Sequence, residues 1–247
     1  MKIMSIFGTR PEIIRLSRIF PLLDANFQHV MVNTNQNFTP ELNSIFFSEL
    51  NIRKPDYTLK IKTGQFGTEV AEIISQTEKI IIKEKPDVML ILGDTNSGLS
   101  AIVAAHYGIK IVHLEAGMRA YDFRMPEDKN RTLIDHLSSI LLPYTNYSRE
   151  NLIRENIHPS KIYVVGNPII EVIDYFLPKI QKSKILEKMK LKEKEYVLVT
   201  AHRSENVDDP DNLKKIFLSL DKINKKFKKR IIYPMHPRTV SKIKNIK

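Results

Sequence analysis

The feature that most constrains the fold is a rhythm. Short runs of branched apolar residues alternate with helix-length segments from one end of the chain to the other. Ile3 to Phe7, His29 to Thr34, Val88 to Leu92, Ile109 to Leu114 and Ile162 to Val165 are five such runs, bounded by Gly, Pro or polar residues. Runs this short and this uniformly apolar suit strands covered on both faces. Helical patterns fall between them, at about 11–24, 40–50, 67–84, 97–107, 127–140 and 147–156. The alternation predicts an α/β fold: a Rossmann-like, doubly wound parallel sheet with helices on both faces.

The rhythm changes near 178–195. Pro178 is expected to follow the helix that begins after Gly166-Asn167-Pro168, which gives a first domain of residues 1–178. Residues 179–247 then start a second α/β unit, with strands at Tyr196 to Thr200 and Ile231 to Tyr233 around a helix at about 210–226. Two strands and one helix cannot cover both faces of a sheet. The second domain therefore reads as incomplete, and the chain as a C-terminally truncated piece of a longer one.

Charge follows the same division. The net charge is +11, yet residues 1–178 carry 19 basic and 20 acidic side chains while 179–247 carry 20 and 8. The basic runs, such as Lys225-Lys226-Phe227-Lys228-Lys229-Arg230, come with no nucleic-acid motif or stacking aromatics and read as a solvated lysine-rich surface. No stretch approaches the ~20 apolar residues of a membrane span, and the N-terminus lacks a signal-peptide pattern. Cysteine is absent, which excludes disulfides, thiolate catalysis and thiolate metal sites. A cytoplasmic protein that binds neither membrane nor nucleic acid is expected.

In open α/β sheets, ligands sit beyond the carboxyl ends of the strands, so the residues after each apolar run carry the information. Gly8-Thr9-Arg10-Pro11-Glu12 follows the first run. It is neither GxGxxG nor a P-loop, and Arg10 is either an anion contact at a helix start or a surface arginine. Asp94, in Gly93-Asp94-Thr95, is a base or a helix cap. Glu115 ends the next run in an apolar context, a costly place for a carboxylate without a partner or a purpose. Glu127 opens a helix, where the helix dipole alone favours an acid. Three carboxylates on successive loops exceed what capping needs and suggest proton transfer on an anion-bearing ligand. In the second unit His202 and Arg203 follow the first strand, and His236 and Arg238 the second; His202 is an acid/base or a phosphate donor. His29, His106, His136 and His158 read as structural, and no histidine pair has zinc spacing with a third ligand. Phe46, Phe47, Phe123, Tyr144 and Tyr147 read as core or pocket wall.

Taken in order, these motifs resemble the non-hydrolysing UDP-N-acetylglucosamine 2-epimerases. The resemblance runs through Gly8-Thr9-Arg10-Pro11-Glu12, Gly93-Asp94-Thr95, Glu115-Ala116-Gly117-Met118-Arg119, Pro126-Glu127 with Asn130-Arg131, Gly166-Asn167-Pro168, and His202-Arg203 with Glu205. It implies two Rossmann-like domains in a GT-B-type arrangement around a UDP-sugar, and a homodimer. The implied reaction inverts C2 of a UDP-2-acetamido sugar by eliminating UDP and adding it back, which needs no redox cofactor and no metal. It implies Asp94, Glu115 and Glu127 as acid/base residues, with His202 on the departing diphosphate. It further implies Arg10, Arg15, Arg203 and His236 as substrate contacts, Arg15 standing where the family usually has lysine. Asn33-Thr34-Asn35-Gln36-Asn37-Phe38 departs from the family's allosteric segment, so activation by a second UDP-sugar is not expected. This departure resembles the capsule and O-antigen branch, which acts on 6-deoxy sugars. The family's uridine-binding Ser-Gly-Gly-x-Gln-Glu-Glu stretch has no counterpart here. The chain alone is therefore expected to be inactive, with weak UDP binding and a poorly protected second unit.

Two other classes share the pattern. A GT-B glycosyltransferase would need an acceptor and would not need three carboxylates, and a non-catalytic fragment would need neither. Deuterium entering C2 from heavy water, with UDP-sugar alone, is specific to the epimerase.

Overall fold

A computed structural model describes residues 1–36, 40–62, 64–122, 124–201, 204–235 and 237–243. They divide into two compact units, Met1–Phe176 and Leu177–Lys247.

The first unit opens with β1 (Lys2–Phe7), α1 (Arg10–Leu16), α2 (Ile19–Asn26), β2 (Gln28–Asn33), α3 (Pro40–Glu49), β3 (Tyr57–Thr58) and α4 (Phe66–Glu84). It continues through β4 (Val88–Leu92), α5 (Ala101–His106), β5 (Lys110–Leu114), α6 (Pro126–Leu137), β6 (Ile140–Leu142), α7 (Asn146–Arg154) and α8 (Ile169–Gln181), whose last turns enter the second unit. The sheet order is β3-β2-β1-β4-β5-β6, and every pairing is parallel. This is the doubly wound arrangement that the alternation predicts. Its strand order reverses between β1 and β4, which opens a crevice at their carboxyl ends.

Both faces of the sheet are dry, as continuous apolar strands require. Met4, Ile6, Val32, Met89, Ile91 and Ile111 face α4, α5 and α6, joined by Ile80, Ala104 and Ile134. Ile3, Phe7, Met31, Leu90, Leu92 and Leu114 face the other way, onto Ile13, Leu16, Phe20 and Phe47.

Three expectations need correction. The run Ile162 to Val165 is no strand; Ile162 makes one isolated parallel bridge to Leu141, and the sixth strand is β6. The helix expected at 11–24 is two helices, because the Ser17 hydroxyl donates to the Ile14 carbonyl at 2.7 Å and competes with helix continuation there. Pro178 lies inside α8 rather than after it. Its missing N–H frees the carbonyl of Asp174, which is exposed, so water can take the place of the lost bond.

The second unit holds α9 (Ile185–Lys188), β7 (Tyr196–Leu198), α10 (Ser204–Val207), α11 (Pro210–Phe227), β8 (Arg230–Ile232) and α12 (Pro237–Ile243). β7 and β8 pair in parallel, and Leu213 is the buried residue of α11. The Asp209 carboxylate caps α11 by accepting from the amides of Asp211 and Asn212 at 2.8 and 3.1 Å.

Candidate active site

Four loops at the carboxyl ends of β1, β4, β5 and β6 meet in the first unit. The β1 loop is anchored by buried Glu12, whose carboxylate accepts from the Gly8 and Thr9 amides at 3.1 and 2.7 Å and from the Thr9 hydroxyl at 2.7 Å. Its other oxygen accepts from the Thr95 hydroxyl at 3.0 Å and so joins this loop to the one after β4. Burial pushes the Glu12 carboxyl above its ordinary range, against those hydrogen bonds.

Asp94 and Glu115, at the ends of neighbouring strands, share one cation. Arg131 of α6 donates through Nη2 to the Asp94 carboxylate and to Glu115 Oε1, the latter at 3.1 Å. Arg15 of α1 donates to the other Glu115 oxygen. Guanidinium donors in a partly dry site make strong, geometrically fixed contacts. Burial pushes the Asp94 carboxyl up, Arg131 pulls it down, and the charge of Glu127 adds to the rise. Asp94 caps no helix, since Thr95 is the residue that precedes the 3₁₀ turn Asn96–Ser100.

The other expected residues are placed as follows. Glu127 sits exposed in the first turn of α6, close enough to act on Asp94 by charge. Arg10 is exposed, with its guanidinium 6.0 Å from the centre of the Phe46 ring. Arg15, expected on the substrate, pairs with Glu115 here. His202, Arg203, His236 and Phe123 lie outside the described residues. Phe47 is buried and Phe46 packs beside it. Tyr144, which joins the same cluster, has its hydroxyl pushed up to about 12 by burial, against Arg15 and Arg131. Tyr147, at 64% exposure, is surface rather than wall.

Sequence reasoning gave no role to Arg131, His113 or Asp135. Arg131 was visible only as part of an Asn-Arg pair, while the α6 periodicity that buries Asp135 beside His113 reads simply as a helix face. Gly117 closes this corner: its φ is +74°, and a Cβ there would lie 2.2 Å from the Ser148 carbonyl oxygen. Among the described residues, no group of three or more His, Asp or Glu side chains could hold a metal ion.

Comparisons with known proteins give relatives along nearly the whole chain. Residues 23–247 match the family model described as UDP-N-acetylglucosamine 2-epimerase. A UDP-N-acetylglucosamine 2-epimerase of Methanococcus maripaludis is 42% identical over 247 residues, a match that covers 98% of this chain and 67% of the relative. The structure of the Rickettsia bellii UDP-N-acetylglucosamine 2-epimerase superposes with a TM-score of 0.92 at 40% identity, over 100% of this chain and 65% of that one. The Methanocaldococcus jannaschii enzyme, solved with UDP-GlcNAc and UDP, gives 0.91 at 39% identity, over 100% and 69%. The chain thus spans about two thirds of the length of these relatives. A match along nearly the whole chain, on a sheet whose strand ends carry the paired carboxylates, settles ancestry: the chain belongs to the UDP-N-acetylglucosamine 2-epimerase family.

Proposed function

We propose that the protein inverts C2 of a UDP-2-acetamido sugar, converting UDP-N-acetylglucosamine or a 6-deoxy analogue into its manno epimer. The observation that carries this reading is the bridging of Asp94 and Glu115 by Arg131 at the carboxyl ends of adjacent strands. A carbon acid with no adjoining carbonyl needs a base and an acid held on opposite sides of it, and a leaving group at the next carbon. One carboxylate takes the C2 proton, the C–H electron pair becomes the C1–C2 double bond, and the C1–O bond breaks to release UDP. Protonation of C2 from the other face and return of UDP to C1 complete the inversion. Asp94, whose carboxyl burial raises, is the better proton holder of the pair; Glu127 tunes it or joins in the transfer.

Arg10 and Arg15 would meet the phosphates once a ligand draws Arg15 from Glu115. The roles of His202, Arg203 and His236 on the diphosphate rest on resemblance to the family alone. Residues 1–178 would then carry the acid/base chemistry and 179–247 the start of the nucleotide-binding domain. A homodimer and a cytoplasmic setting complete the proposal, in keeping with the finding that no described helix is long and apolar enough to cross a membrane.

The test is isotopic. UDP-N-acetylglucosamine and its 6-deoxy analogue are incubated in heavy water with a form of the protein that spans the length of its relatives, and C2 is followed by NMR. Deuterium at C2 that Glu115→Gln abolishes supports the proposal. Sugar transfer to an added acceptor without exchange at C2 would overturn it.

A further inference from the structure

Glu115 is a non-glycine residue with φ at +67°, in the left-handed region. Such a conformation is strained for any residue with a Cβ and persists only where the surroundings over-determine it. The restraints on either side of Glu115 converge on one carboxylate. Asp135 Oδ1 lies 2.8 Å from His113 Nδ1, two residues before Glu115. Asp135 Oδ2 accepts from the Gly117 amide at 3.1 Å, two residues after it. Asn151 also holds Gly117, donating to its carbonyl at 3.0 Å.

The same ring reaches the second acid/base loop. His113 Nε2 lies 2.8 Å from the carbonyl of Gly93, which precedes Asp94. On the far side Asn130 donates to the Asp94 carbonyl at 3.1 Å. Each His113 nitrogen thus faces an oxygen, the Asp135 carboxylate on one side and the Gly93 carbonyl on the other. Asp135 is itself held by Arg119 Nη2 at 2.7 Å, and Arg119 is clamped from behind by Glu155 at 2.7 and 2.6 Å. His113, Asp135 and the Arg119 side chain are all but excluded from solvent. His113 and Asp135 have no exposed side-chain surface with which to touch a ligand.

We infer that Asp135, through His113 and the Gly117 amide, is the positioning residue for both acid/base loops: it holds Glu115 in its strained conformation and fixes the Gly93–Asp94 peptide. The assignment of Glu115 and Asp94 as acid and base rests on the function proposed above; the strain and the restraint do not.

The test separates the two. Glu115→Gly and Glu115→Gln both remove the carboxylate, but only the first relieves the left-handed strain. In the wild-type background Glu115→Gly should melt above Glu115→Gln by roughly 2–4 °C, the shift for about 1 kcal/mol in a domain of this size. In an Asp135→Asn background the turn relaxes and that gap should close. If Asp135→Asn does not fold, His113→Gln, which keeps a donor for Gly93 and drops Asp135, takes its place. A gap that is missing in the wild type, or that persists in the second background, overturns the inference. In turnover, His113→Gln should lower kcat for C2 exchange about a hundredfold, the scale of a 1 Å misplacement, with KM within about threefold. A rise in KM at unchanged kcat would contradict a positioning role. If the wild type exchanges nothing at C2, the proposed reaction fails while the melting comparison still decides the restraint.

Discussion

The Ser5 hydroxyl lies 2.8 Å from His29 Nε2, and His29 Nδ1 lies 2.7 Å from Asp24 on the other side. The distances are those of a nucleophilic triad, but Ser5 sits fully buried in the middle of β1, between the sheet and α2. The proposed acid/base carboxylates lie instead at the strand ends, where the Asp94 side chain keeps part of its surface exposed. Geometry without access is packing, and the difference can be measured.

Ser5 should therefore form no adduct with a fluorophosphonate, and Ser5→Ala should cost about 1 kcal/mol in a urea titration, the net worth of one hydrogen bond. Mass spectrometry showing phosphonylated Ser5 would refute the reading.

His29 also sets a pH dependence. Burial holds its pKa below the ordinary 6.5, against the pull of Asp24. The folded chain then binds this proton less readily than the unfolded one, so stability falls as pH drops below 6.5 and levels off under the folded value. The difference in urea midpoint between the wild type and His29→Gln, followed from pH 8 to pH 5, should narrow on acidification. A difference that stays flat or widens would count against this sign.

Arg131 holds two carboxylates that would otherwise repel. Arg131→Met should lose about 3 kcal/mol, the lower end for breaking a buried pair, because the Asp94 side chain is 21% exposed. Arg131→Lys keeps the charge but not the planar fork, so it should lose less stability and still slow C2 exchange at least tenfold. Equal stability of Arg131→Met and the wild type would show that the bridge contributes nothing.

Gly117→Ala should be worse than an ordinary surface change by about 3 kcal/mol, since it adds left-handed strain and a backbone collision with Ser148. Thermal melting followed by circular dichroism checks this, and a wild-type melting temperature would mean that α7 can move aside.

Much of this was legible before any coordinates, and the exceptions have physical causes. Val88 to Leu92 and Ile3 to Phe7 announce themselves because both their faces are buried. β3 has only two residues, Tyr57 and Thr58, too short for any period to show. β6 hides because Ile140, Leu141 and Leu142 continue the apolar spacing of α6, which in fact ends at Leu137. The site divides in the same way. Asp94 and Glu115 stand out because strand position marks them, whereas Arg131 and Asp135 matter through partners more than fifteen residues away that only tertiary packing brings together.

The contacts that bind the two carboxylates to each other lie largely between Gly93 and Asp135, with the Arg15 and Glu12 side chains reaching in from upstream. The Glu115 amide is closed off by the carbonyl of Leu142, at the end of β6. Synthesis proceeds from the N-terminus, and early domains fold as units while later residues are still being added. Once α7 and Glu155 behind it have emerged from the ribosome, every group described above as shaping the proposed acid/base pair has been made, and the nascent chain can set this corner before α8 has emerged.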